Sequence, residues 1–127
     1  MCYLTNSEYT LGSRFLFLSM AITVIQNDLV SLEQGIDIKI KEPYTNLLKT
    51  MEERAIAERQ QLKKYMTKQK LQVVRLEKTD TFSSYLYICQ GREEKRNYFN
   101  PAIRTKVTKI IYELMTQALP HVKEPYR

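Results

Sequence analysis

The chain of 127 residues is 43% hydrophobic and 27% charged, with three glycines, four prolines and a net charge of +6. That is one domain's worth of chain around one modest core, with no long flexible linker, collagen-like tract, solenoid repeat or low-complexity segment. Two cysteines, Cys2 and Cys89, and one histidine, His121, form neither a disulfide framework nor a zinc pattern, and they suit a reducing cytosol.

The first predicted helix runs from about Thr5 to Leu32. Thr5 and Glu8 have capping-box spacing, and Ser13 after Gly12 offers a second cap. The segment is therefore either one helix containing Gly12 or two pieces broken there. Phe15, Leu16, Leu18, Ala21, Ile22, Ile25, Leu29 and Leu32 share it with Phe17, Met20 and Val24 on other faces. A helix apolar nearly all round is central to a core or lies at a subunit interface. Its most apolar run, FLFLSMAITVI at 15–25, is followed at once by Gln26, Asn27 and Asp28. A spanning helix needs roughly 20 apolar residues. A secretory signal would need a basic start and a small-residue cleavage site. No membrane span is expected.

In GIDIKIKEP, Ile36, Ile38 and Ile40 alternate with polar residues, which suggests a short strand or an extended connector. Pro43 then fits the first turn of a second helix, with Tyr44, Leu47, Leu48, Met51, Ala55, Leu62, Tyr65 and Met66 at helical spacing. Its lysines, Lys63, Lys64, Lys68 and Lys70, gather at the end where the macrodipole favours cations. The β-branched and aromatic residues that follow predict a β-hairpin, with strands near 71–77 and 82–89 about a turn at EKTD. A helix over 82–88 competes, because Phe82, Tyr85, Leu86 and Cys89 also share a helical face. Cys89, in YLYIC, reads as a small buried hydrophobe rather than a reactive thiol. The last helix takes Asn100 as N-cap and Pro101 as first residue. Ile103, Val107, Ile110, Ile111, Leu114, Met115 and Ala118 form its apolar stripe. Pro120 ends it. The expected fold is mainly α: a compact single domain, 1–127, of three principal helices with a β-hairpin before the last one, and loose termini at 1–4 and 120–127.

Catalytic machinery is not visible. His121 lies past a helix-ending proline with nothing to orient it. The isolated glycines make no phosphate-cradling loop. Glu52-Glu53 and Glu93-Glu94 are adjacent pairs, which do not share a helical face. No enzyme, cofactor or metal is expected. The charge, however, is uneven. Residues 1–58 hold five basic and eight acidic side chains, whereas residues 59–127 hold fifteen and six, so the second half points to an acidic partner. The candidate contact residues are Arg92, Lys95, Arg96, Tyr98, Arg104, Lys106 and Lys109, with Lys63, Lys64 and Lys68. The favoured function is a cytoplasmic protein-interaction or regulatory module, a homodimer or the partner of another protein. The alternative is nucleic-acid binding through the basic 92–109 surface, with a hairpin as a wing. A helix-turn-helix does not fit, because the second helix is too long.

Three stretches, KEPYTNLLKTM, LKKYM and YICQGREEKRNYFNPAIRTKV, resemble the YhjD-like family of small uncharacterised proteins of endospore-forming bacteria. The most specific pieces are Lys41-Glu42-Pro43-Tyr44 and Tyr98-Phe99-Asn100-Pro101, and the resemblance covers roughly residues 15–115. It implies a bacterial cytoplasmic protein and carries over no active site.

Overall fold

Thr5 opens the first helix with the expected capping box. Its hydroxyl accepts the Glu8 backbone N–H at 3.2 Å, and Glu8 Oε1 accepts the Thr5 N–H at 2.8 Å. A computed structural model describes residues 3–35 and 37–122; Cys2, Ile36 and the 123–127 tail lie outside them. Helix α1 (Asn6–Gln34) is one unbroken helix. It runs through Gly12 because this is where it meets the sheet: a Cβ there would stand 3.0 Å from the Tyr87 ring and 3.1 Å from Val73. By length and composition alone α1 could cross a membrane. Here it is the central element, packed against both other helices and the sheet.

Among the described residues, 37–40 form bends and no strand. Alternation alone cannot hold a strand that lacks a partner ladder, and the Lys41 ammonium instead folds back onto the Glu33 carbonyl at 3.1 Å. Helix α2 (Glu42–Lys68) then returns along α1, burying Met51, Ala55 and Met66. Lys70, at φ 55°, turns the chain from α2 into the sheet.

The hairpin is present with the expected strands, β1 (Leu71–Lys78) and β2 (Phe82–Cys89). The competing helix over 82–88 loses because β2 has a strand on each side. The expectation of a two-stranded hairpin is corrected here. Residues at the start of the basic 92–109 span form a third strand, β3 (Arg92–Phe99), and the sheet is an antiparallel meander in the order β1-β2-β3. Gln90 and Gly91, at φ 52° and 80°, make the two-residue turn between β2 and β3, the backbone shape whose twist suits a tight hairpin.

Helix α3 (Asn100–Ala118) buries Val107, Ile110, Leu114 and Ala118 as the stripe predicted. Asn100, however, does not cap it. Phe99 occupies the cap position without a side-chain bond. The Asn100 amide instead donates to the Thr79 carbonyl at 2.9 Å and accepts from the Ser83 hydroxyl at 2.7 Å, tying α3 to the β1–β2 turn. Leu119–His121 add one 3-10 turn. Phe17, Leu18, Ala21, Ile25, Met51, Ala55, Tyr87 and Leu114 meet in one core between the helices and the inner face of the sheet.

Candidate interaction surface

The sheet has two unlike faces. Pairing places Leu71, Val73, Tyr85, Tyr87, Cys89 and Tyr98 on the face that meets the helices. The alternate residues point away from them. On that outer side Val74, Leu86 and Lys95 lie in one row, with Ile88 beside Glu93, and Phe82 beside Phe99. The Phe82 and Phe99 rings are 5.7 Å apart. Val74, Leu76, Phe82 and Phe99 are 42%, 48%, 48% and 50% exposed, although each is large and apolar. Leu86 and Ile88 between them are half-buried. Grouped apolar side chains on an open face are the pattern expected of a contact surface, unlike single exposed hydrophobes. The Ser84 hydroxyl donates to Asn97 at 2.6 Å across the same face, beside a shallow hollow edged by Glu77, Phe82 and Lys95.

The inner face explains why β3 is charged. Arg92 lies opposite Cys89 and reaches Glu8 with both terminal guanidinium nitrogens, Nη1 and Nη2, at 2.7 and 2.5 Å, a fork geometry that suits a carboxylate. The Arg92 hydrogen bond, followed by the Thr5 N–H, holds the Glu8 carboxyl at about 2 instead of its ordinary 4.5. Cys89 is fully buried and donates to Glu8 and to the Gln69 carbonyl; burial pushes its thiol up. The expectation of a structural cysteine therefore holds. Further along, the Tyr98 hydroxyl bonds that of Tyr9 at 2.8 Å and that of Tyr87 at 2.7 Å. Desolvation pushes Tyr87 up to about 12 and raises Tyr98 as well. Arg96 pairs with Glu94 and lies over the Tyr9 ring, 4.1 Å from its centroid.

The ten residues singled out from the sequence thus separate into groups. Arg92, Arg96 and Tyr98 serve the inner face of the sheet. Lys95 belongs to the outer face. Arg104, Lys106 and Lys109 are exposed on α3, and Lys63, Lys64 and Lys68 are exposed on α2. Lys63 lies over Phe15 and Lys106 over Phe17. Those two phenylalanines point about 200° apart around α1, so the α2 and α3 cations flank it on different sides. The outer-face residues Val74, Leu76, Leu86 and Ile88 were not singled out. A sequence shows apolar alternation but not whether a second layer covers the other face.

A family model described as YhjD protein matches residues 3–119 of the chain. The chain belongs to the YhjD family. It is similar to the protein named Uncharacterized protein YhjD from Bacillus subtilis (strain 168), with 34% identity over 108 residues, covering 85% of this chain and 89% of that one. No solved structure matches. The match spans all three helices and all three strands of this chain.

Proposed function

We propose that the protein is a non-enzymatic cytoplasmic interaction module that works as a homodimer, two copies meeting through the outer faces of their sheets. The observation that carries this reading is the uncovered face itself: Val74, Leu76, Phe82 and Phe99 are 42–50% exposed on a sheet whose other face is packed. Charge permits a second copy as the occupant at this face. The chain carries +6 overall, and like-charged molecules repel across most of their surfaces. The outer face instead mixes Glu77 and Glu93 with Lys95 around its apolar centre, so two copies can approach there. Face-to-face packing would bury the same patch on both partners, as a two-fold interface requires. Edge-to-edge pairing through β1 is less favourable, because a bulge between Arg75 and Glu77 interrupts that strand.

Nucleic-acid contact through the 92–109 span ranks second, since Arg92 and Arg96 are engaged with Glu8, Glu94 and Tyr9. Light scattering across the micromolar range tests the first reading. The expected mass is twice the 15.1 kDa of one chain, and the double substitution Val74→Lys with Leu86→Lys returns it to one chain while leaving helical content unchanged. A monomer mass for the unmodified protein throughout that range excludes the dimer.

A further inference from the structure

At the opposite end of the sheet's inner face, a cleft of about 600 Å³ opens between β1, β2 and the start of α3. Arg75, Lys78 and Arg104 line it, and among the described residues no carboxylate does. None of the three makes an ion pair among the described residues. Their convergence depends on a local irregularity. Arg75 and Lys78 are three positions apart, so a regular strand would send them to opposite faces. The bulge between Arg75 and Glu77 absorbs one residue, Leu76. Arg75 then sits across from Tyr85, and Lys78 across from Ser83, both on the inner side.

Two further observations point to a ligand. Tyr85 lines the cleft with most of its side chain buried, and its hydroxyl opens into the cleft without a hydrogen-bond partner among the described residues. The Tyr87 and Tyr98 hydroxyls on the same face instead bond to each other. In addition, α3 starts at the cleft with no side-chain cap and no acidic residue in its first turn, so its positive dipole end is uncompensated. Met20 and Ile103 supply an apolar wall.

We propose that this cleft binds the phosphate monoester of a small, partly apolar molecule, with Arg75, Lys78 and Arg104 on the phosphate oxygens, the Tyr85 hydroxyl donating from beneath, and Met20 and Ile103 against the carrier. Guanidinium forks match phosphate geometry, and a dianion answers a cluster of three cations. This site is separate from the outer face and does not depend on the dimer.

Calorimetric titration with inorganic phosphate and with phenyl phosphate, at low salt and neutral pH, tests the proposal. Saturable binding in the millimolar range or tighter is expected, with phenyl phosphate the tighter of the two. Arg75→Gln and Arg104→Gln each weaken it about tenfold, the scale of one charged hydrogen bond. Lys109→Gln, on α3 outside the cleft, changes it less than about twofold, since an exposed charge acts only through a screened field. In the unmodified protein, phosphate shifts the NMR signals of the Tyr85 ring and the Arg75 side chain. Lack of saturable binding, or an equal loss in Lys109→Gln and Arg104→Gln, overturns the site. Equal affinity for the two probes overturns the apolar carrier.

Discussion

Glu8 and Arg92 lie 84 residues apart and join the start of α1 to the start of β3. With its carboxyl held at about 2 instead of 4.5, Glu8 keeps its proton off far more readily in the folded chain than in the unfolded one. The sign follows: its contribution is fully present above pH 4.5 and is lost as pH falls through 2. Glu8→Gln should therefore flatten the fall in urea midpoint across that window. At neutral pH it should cost about 1–3 kcal/mol, because Arg92 loses its charged acceptor in a largely desolvated place. A Glu8→Gln protein that loses stability in acid as steeply as the unmodified chain would place the dependence on other carboxylates.

Among the elements, the helices were legible and β3 was not, for reasons specific to its residues. The α3 stripe from Ile103 to Ala118 repeats at helical spacing and has Pro101 at its start, so packing and propensity agree. In β3 the inward residues are Arg92, Glu94, Arg96 and Tyr98. Their partners Glu8 and Tyr9 come from the other end of the chain, so hydrophobic alternation carries no signal. The turn residue Gln90 adds to the concealment, because the left-handed position it fills usually holds Asn, Asp or Gly. Asn100 misled for a similar reason: its type suits a cap, but the β1–β2 turn claims its side chain. The α1–sheet crossing gives an element-scale test. Helix propensity alone favours Gly12→Ala by about 1 kcal/mol, whereas overpacking costs about 1–3 kcal/mol. Tyr87 cannot swing aside, being bonded to Tyr98 and packed against the tilted ring of Tyr9. Gly12→Ala is therefore expected to lower the melting temperature, with a net loss of about 1 kcal/mol. A rise would mean that the sheet moves away from α1 at little cost.

At the scale of the whole molecule, α1 serves as an axis with α2, α3 and the sheet arranged about it. Much of the burial that an all-round apolar helix called for is met within one chain, with Val24 and Val30 left exposed on α1. On the sheet, the apolar surface left open is grouped on the outer face, at Val74, Leu76, Phe82 and Phe99. The sequence carried the basic half and the apolar first helix in plain view. It could not reveal which strand faces were covered, nor that a bulge at Leu76 brings Arg75 and Lys78 to one side, since both depend on pairing. The most direct test of the dimer is an isotope-filtered NMR experiment on a mixture of methyl-labelled and unlabelled chains. Contacts between copies are expected at the methyl groups of Val74, Leu86 and Ile88. Intermolecular contacts confined to helix methyls such as Val24 and Val30, or none at concentrations where the protein is folded, would contradict it.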